Sequence, residues 1–356
     1  MKRIILTGGG TAGHITPNIA LLPKLKENGY EVYYIGSYDG MEKQLIKDCG
    51  IEYFEISTGK LRRYKSLKNL TDPFRVLNGV RQSINIIKKL KPDVIFSKGG
   101  FVSVPVVLAA KTQKIPTIIH ESDITPGLAN KISIPFATKV CCTFPETLDE
   151  LPEEKAILSG SPIREELMKG DKEKAKKFVG FTNNKPVILV MGGSLGSVAV
   201  NNAIRGVLDE LLKTFNIIHL CGEDKVDKDY ENINGYKQYE YIKDELKDMF
   251  ALSDIIISRA GANAICEILA LQKPNILIPL PKKISRGDQL LNADSFKKLG
   301  YSEVLNEDEI TNEIMLNNII NLYNNKEKYI EKMKKSQQNN AIDIIINLIQ
   351  NIWREK

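Results

Sequence analysis

Short apolar runs and amphipathic stretches alternate along this chain. Runs the length of a buried strand fall at 3–7, 31–36, 93–96, 116–120 and 138–143. Between them, apolar residues recur with helical spacing near 17–28, 40–49, 73–90, 102–112 and 126–132. Such alternation predicts a parallel sheet with helices on both faces. Gly160-Ser161-Pro162-Ile163 reads as a turn and linker, and a charged helix is expected from Arg164 to Val179. A second β-α series follows, with strands at 187–191, 217–221, 236–239, 255–258, 275–278 and 302–305. The pattern from Asn312 onward is helical, and its last segment, Ala341 to Trp353, is amphipathic. The expected fold class is α/β: two doubly wound, Rossmann-like domains, 1–162 and 163–340, facing a cleft at the carboxyl ends of their strands, with the terminal helix 341–356 completing the first.

Each half opens with a strand that runs into glycines. The first continues as Gly8-Gly9-Gly10-Thr11-Ala12-Gly13-His14, the second as Gly192-Gly193-Ser194-Leu195-Gly196. Glycine lets the backbone turn tightly and approach another group closely. A strand, a glycine turn and a helix N-terminus together suit an anion or a polar group. His14, one of 3 histidines, sits at the tip of the first turn, where an imidazole titrates near neutral pH and can move a proton. Gly8, Gly10 and Gly13 also satisfy G-x-G-x-x-G, so a nicotinamide-binding oxidoreductase is one alternative. That reading requires an acid at the end of the second strand, where this chain has Gly36-Ser37 and reaches Asp39 late.

The second half carries the denser chemistry. Arg259-Ala260-Gly261-Ala262-Asn263-Ala264 turns from a buried strand into a helix that includes Glu267. The amides of Ala262, Asn263 and Ala264 suit a phosphate, and the Glu267 carboxylate suits a ribose diol. Gln289, in Ser285-Arg286-Gly287-Asp288-Gln289, offers both donors and acceptors to sugar hydroxyls. Other motifs have plainer readings. Asp227-Lys228-Asp229 is formally a D-x-D metal pattern, but it lies in a charged run with no apolar strand beside it and reads as a solvated loop. His219 sits within a strand and reads as a core histidine. His120-Glu121-Ser122-Asp123 lies at a strand's carboxyl end, where a site role and a structural one are equally open. Lys98-Gly99-Gly100 reads as a further turn after a strand.

Composition narrows the partners. The chain has 356 residues, 42% of them hydrophobic and 26% charged, with a net charge of +6. That charge favours an anionic partner but is too small to argue for nucleic acid. The 5 cysteines are odd in number and lack C-x-x-C spacing, which points to free thiols in a reducing compartment. The N-terminal apolar run stops at glycines after a strand's length, unlike a signal peptide, and no run reaches the ~18 residues of a membrane span. From Lys60 to Arg81 the cations Lys60, Arg62, Arg63, Lys65, Lys68, Arg75 and Arg81 face one acid, Asp72, and alternate with Leu61, Leu67, Leu70, Phe74, Val76 and Leu77. This mixture suits an anionic membrane surface, or a solvated helix with a core-facing stripe; it holds too few stacking aromatics for single-stranded nucleic acid.

Taken together, Gly9-Gly10-Thr11-Ala12-Gly13-His14 with Pro17, Lys98-Gly99-Gly100-Phe101-Val102-Ser103, His120-Glu121-Ser122-Asp123, Gly160-Ser161-Pro162-Ile163-Arg164, Gly192 to Ser197, Arg259-Ala260-Gly261-Ala262 with Glu267, and Asp288-Gln289 with Asn292 make the chain resemble the MurG family along nearly its full length. The resemblance implies a GT-B glycosyltransferase that inverts at the anomeric carbon, with no catalytic metal or other cofactor. It implies UDP-N-acetylglucosamine as donor and an undecaprenyl-diphosphate-linked muramoyl pentapeptide as acceptor, met at the cytoplasmic face of the cell membrane by a peripheral protein. The first domain would take the acceptor and membrane, the second the nucleotide sugar. By position, Thr11, Ala12 and Gly13 would line the first loop, and Arg164, Ser194, Ile242, Ala262, Asn263, Ala264, Ile265, Cys266, Glu267 and Gln289 would bind the donor. His14 would sit nearest the reacting centre, as base or as a group that positions the acceptor. Ala12, Asp123 and Leu195 depart from residues common in the family, a glycine, an asparagine and a glutamine. A glycolipid glucosyltransferase of the same fold and a non-catalytic sugar-nucleotide-binding scaffold are the rival readings.

Overall fold

The computed structural model describes residues 2–59, 68–193, 196–283, 285, 287–336 and 340–354. The chain divides into two compact units, Met1–Arg164 with Asn340–Lys356, and Glu165–Asn339.

The first unit runs β1 (Lys2–Thr7), α1 (Thr16–Glu27), β2 (Tyr30–Ser37), α2 (Glu42–Asp48), β3 (Glu52–Ile56), α3 (Lys68–Leu90), β4 (Val94–Ser97), α4 (Ser103–Thr112), β5 (Thr117–Glu121), α5 (Leu128–Ser133), β6 (Lys139–Cys142) and β7 (Ala156–Leu158). Its sheet has the order β3-β2-β1-β4-β5-β6-β7, and every pairing is parallel. A parallel sheet buries both faces, which is why β1 is a continuous apolar run rather than an alternating one. Ile4 and Leu6 pack on one face against Leu21 and Leu25 of α1. Ile5 points to the other face, against Ile87 of α3 and Val106 and Ala109 of α4.

The second unit runs α6 (Lys172–Val179), β8 (Val187–Met191), α7 (Val198–Arg205), α8 (Leu208–Thr214), β9 (Asn216–Leu220), β10 (Tyr236–Tyr239), α9 (Leu246–Leu252), β11 (Ile255–Ser258), α10 (Ala262–Ala270), β12 (Asn275–Leu277), α11 (Asp288–Lys298), β13 (Glu303–Val304), α12 (Asn312–Asn324) and α13 (Lys326–Lys334). Its sheet, β10-β9-β8-β11-β12-β13, is again parallel throughout. The last helix, α14 (Ala341–Arg354), returns to the first unit. Its apolar stripe, Ile345, Ile346, Ile349 and Ile352, lies in the same cluster as Ile4, Leu6 and Leu25. That spacing is the i, i+1, i+4, i+7 stripe of a helix laid on a core.

Strand order reverses between β1 and β4 in one sheet and between β8 and β11 in the other. Thr7 stands opposite Ser97 and Met191 opposite Ser258, so the loops that leave these strands emerge side by side. Parallel α/β sheets bind ligands at this point.

Two strands are not among those the sequence pattern marks. β3 is an edge strand with Glu52 exposed and Tyr53, Phe54 and Glu55 half-buried; β7, at the other edge, has three half-buried residues. The helix expected from Arg164 to Val179 is interrupted. A 3-10 turn, Glu165–Lys169, stops at Gly170, where a Cβ would lie 2.1 Å from Lys247 O. Asp171 then starts α6, its carboxylate accepting from the amides of Glu173 and Lys174 while its own amide donates to Asp248 Oδ1. An acidic cap that frees the next turn's amides from solvent outweighs the helical propensity of the flanking residues.

Ile349→Ala removes a fully buried side chain from the stripe of α14 and should cost about 2–5 kcal/mol. The chain's 1 tryptophan, Trp353, lies on α14 with the Lys2 ammonium 4.4 Å from its ring centroid, so fluorescence-monitored urea unfolding reports on this unit. An unchanged midpoint would show that α14 does not support the core.

Candidate active site

In the first unit the glycine turn after β1 is held from below by three buried polar side chains. Tyr34 Oη donates to Gly8 O at 2.7 Å and accepts from Asn18 Nδ2 at 3.2 Å. Asn18 also donates to Thr7 O at 3.2 Å. Glu42, wholly buried at the start of α2, accepts from Ser37 Oγ at 2.6 Å, from Ser37 N at 3.1 Å and from Gly10 N at 3.4 Å. This carboxylate occupies the interior side of the turn, so the turn already holds a negative group of the protein's own. It also bears on the dinucleotide alternative. Ser37 ends β2 where a ribose-binding acid is needed, and Glu42 is turned inward and spent.

The turn continues through exposed Thr11 into a 3-10 turn, Ala12–His14, with Gly13 and His14 half-buried. Pro17 then sits in the first turn of α1, where its fixed φ and missing N–H cost nothing. His14 Nδ1 lies 3.2 Å from Lys98 O. A carbonyl only accepts, so Nδ1 carries the proton and Nε2 is the basic nitrogen. The ring rests on the turn after β4: Gly100 adopts φ +82°, and a Cβ there would lie 2.3 Å from Gly9 O and 3.0 Å from His14 Cδ2.

Behind this turn lies a buried polar chain. Lys98, 1% exposed, reaches His120 Nδ1 at 2.9 Å and also Ser122 Oγ. His120 Nε2 lies 2.8 Å from Gly160 O. His120 therefore accepts at Nδ1 and donates at Nε2, and it is neutral; burial first, and the Lys98 charge second, hold its pKa well below the usual histidine range. Glu121 is a brace. Its carboxylate accepts from Ser122 N, Asp123 N, Gly127 N and Asn130 Nδ2, at 2.7, 3.0, 3.0 and 2.7 Å. Of the His120-Glu121-Ser122-Asp123 motif, the first two side chains thus serve the structure of the loop.

In the second unit the candidate donor residues fall on the turn after β8, ahead of α9, on α10 and at the start of α11. Ser194, Leu195 and Arg286 lie outside the described residues, as do Lys60, Leu61, Arg62, Arg63, Lys65 and Leu67 of the basic segment. Gly196 has φ +70°, and a Cβ there would meet Cys221 O at 2.0 Å, so this turn packs backbone against backbone. α10 begins at Gly261, which has no side chain to cap it, and its first internal bond is Ile265 N to Gly261 O at 3.1 Å. The amides of Ala262, Asn263 and Ala264 precede that bond and form the helix's positive end. Asn263, Ala264 and Glu267 share the accessible stripe of α10, while Ile265 and Cys266 face the core. Ile265 thus has a buried side chain and a spent amide, and Ile242, 3% exposed, can meet a ligand only through its main chain. Gln289 Oε1 accepts from Leu280 N at 3.1 Å, which leaves its amide nitrogen as the group to present. Arg164 is half-buried and belongs to the first unit, at the end of its segment Met1–Arg164.

Arg259 works inward. Its guanidinium donates to Ile278 O at 3.0 Å, Pro279 O at 3.3 Å and Ser197 Oγ at 2.5 Å, and pairs with Glu307. One buried cation thereby ties the turns after β8, β11 and β12. Among the described residues no group of three or more His, Cys, Asp or Glu side chains is placed to hold a metal ion.

Models of two domains match this chain: the glycosyltransferase family 28 N-terminal domain over residues 4–142, and the glycosyltransferase family 28 C-terminal domain over 187–348. The class is therefore a two-domain glycosyltransferase of GT-B type. A UDP-N-acetylglucosamine--N-acetylmuramyl-(pentapeptide) pyrophosphoryl-undecaprenol N-acetylglucosamine transferase from Lachnospira eligens is 61% identical over 98% of this chain and 99% of its own length. A protein of the same name from Lachnoclostridium phytofermentans is 60% identical over 99% of each. The crystal structure of Acinetobacter baumannii MurG superposes with a TM-score of 0.77 at 27% identity, over 99% of this chain and 100% of that one. The chain belongs to the MurG family of N-acetylglucosamine transferases.

Of the other two histidines, His219 is a core residue, 2.8 Å from Tyr236 Oη and 3.0 Å from Asn201 Oδ1. Burial, with Arg205 next, lowers its pKa from 6.5 to about 3. Between those values the unfolded chain binds a proton that the folded unit refuses, so this contribution to stability is lost as pH falls from about 6.5 towards 3. His219→Gln keeps one donor and one acceptor without the titration, and its urea midpoint should fall less steeply over that window. Equal slopes for both proteins would contradict the assignment.

Proposed function

We propose that this protein is an inverting glycosyltransferase that moves N-acetylglucosamine from UDP-N-acetylglucosamine to undecaprenyl-diphosphate-linked N-acetylmuramoyl-pentapeptide, in peptidoglycan synthesis. The observation that carries the choice of substrates is the 61% identity, over 98% of the chain, to a relative named for this transfer. Geometry supports the division of roles. The second unit takes the donor. The amino end of α10 faces the diphosphate, and Glu267, one turn further along the same stripe, accepts from the ribose hydroxyls. Gln289 and the main chain at Ile242 add to the same donor site. The first unit takes the acceptor. Its sugar hydroxyl attacks the anomeric carbon as the bond from that carbon to the UDP oxygen breaks. The hydroxyl proton passes to His14 Nε2, and UDP leaves as the anion. One displacement inverts the carbon.

The membrane-facing segment is the one from Lys60 to Arg81. On its described part, Phe74 and Leu77 of α3 are 73% and 66% exposed beside exposed Arg75 and Arg81. Apolar side chains that enter an anionic surface, with cations over its phosphates, fit a protein that meets a lipid-linked acceptor at the cytoplasmic face. No helix among the described residues is long and apolar enough to cross a membrane.

Two substitutions separate the half-sites. His14→Ala should lower kcat by about 10²–10⁴-fold, the worth of a general base, with UDP affinity at the wild-type value. Glu267→Ala should weaken UDP binding by about 1.5–3 kcal/mol, the range for hydrogen bonds to a charged group. Transfer of label from UDP-N-acetylglucosamine to a short-chain lipid-linked muramoyl acceptor measures the first, and calorimetry the second. A normal kcat in the first variant would leave His14 a structural role; normal UDP affinity in the second would remove Glu267 from the donor site.

A further inference from the structure

Lys98 meets the site twice. Its backbone carbonyl receives His14 Nδ1, and its ammonium is buried on His120 Nδ1 and Ser122 Oγ. Its amide donates to Thr7 O at 2.9 Å, and His120 passes the connection to Gly160 O. One residue therefore joins the ends of β1, β4 and β5 to the turn after β7. A lysine needs a strong reason to be 1% exposed, because its charge must leave water. Here a neutral imidazole nitrogen and a hydroxyl oxygen accept from the ammonium. The following two residues, Gly99 and Gly100, both adopt positive φ, at +87° and +82°, so the main chain turns sharply directly after the carbonyl that holds His14. Such a turn has few fixed points of its own; the Lys98 side chain supplies one.

We propose that Lys98 is a positioning residue for the transfer: anchored through its buried ammonium, it fixes the carbonyl that holds the His14 ring with Nδ1 protonated and Nε2 bare toward the acceptor. This rests on the reading of His14 as the base. Titratable groups around the anchor include His120 and Glu121 on β5 and the buried Cys141 thiol of β6. Glu121 and Glu42 are turned onto amides and hydroxyls of their own loops, and His120 is neutral. A neutral replacement removes the Lys98 hydrogen bonds to His120 and Ser122.

The test is Lys98→Met, close in length and without charge. With 3 histidines in the chain, each imidazole can be assigned in a nitrogen-15 spectrum of the intact protein. In the wild type His14 should show protonated Nδ1 and bare Nε2. In Lys98→Met its two tautomers should mix, and kcat should fall roughly ten- to a hundredfold, as for a catalytic group displaced by about an ångström. UDP affinity should match the wild type. Should Lys98→Met fail to fold, His120→Leu removes the imidazole acceptor while keeping Lys98, and should give the same tautomer mixing. An unchanged His14 tautomer in a folded variant, or an unchanged kcat, overturns the proposal. The base reading fails by a different result, a normal kcat in His14→Ala, which the tautomer spectrum of Lys98→Met does not depend on.

Discussion

Both half-sites depend on one steric constraint: the loop leaving a central strand must lie against the backbone that leaves a neighbouring strand, with no side chain between. In the first unit this is the contact of Gly100 with Gly9 O, where a Cβ would approach to 2.3 Å; in the second it is Gly196 against Cys221 O, at 2.0 Å. Close loops bring two strand ends to one place, and a parallel sheet directs those ends, with their helix N-termini, at a ligand. What differs is what fills the turn. In the first unit Glu42 already supplies the negative charge, and the outward group is an imidazole. In the second, α10 opens without a side-chain cap and its positive end is directed outward.

The buried charges follow from the same constraint. Tight glycine turns have few side chains with which to hold themselves, so the neighbouring elements do it. Glu42, Glu121, Lys98 and Arg259 are each buried and each make more than one hydrogen bond, to which Arg259 adds an ion pair with Glu307. Removing any one would leave amides, carbonyls or an opposite charge unsatisfied in low dielectric, a cost larger than the net worth of the bond itself. Rigid loops in turn are what a displacement reaction needs, because attacking oxygen, base and leaving group must share one geometry.

Much of the architecture was legible in the residues. Parallel strands buried on both faces, such as Ile255-Ile256-Ile257, carry their own signature, and the stripe Ile345, Ile346, Ile349 and Ile352 marks a helix laid on a core. Strands β3 and β7 were not legible, because edge strands need not be apolar and Glu52 and Glu55 mask the first. The helix expected from Arg164 was broken by a contact with Lys247, distant in sequence. Among the candidate site residues, His14, Glu267 and Gln289 stand out in the sequence by their places after glycine turns or in the first turns of helices. The groups that hold them were not. Tyr34, Asn18 and Glu42 are ordinary residues of a strand and two helices until the fold brings them beneath Gly8 and Gly10. Lys98 reads as the start of a turn after a strand, and only three-dimensional proximity to His14, His120 and Ser122 gives it a role.

The central claim is a single displacement at the anomeric carbon. The configuration of the new glycosidic bond tests it most directly. The product made from the α-linked donor UDP-N-acetylglucosamine, isolated and examined by proton NMR, should carry N-acetylglucosamine in β linkage. An α-linked product would require two successive displacements through a covalent glycosyl-enzyme, or a front-face reaction, and would contradict the account.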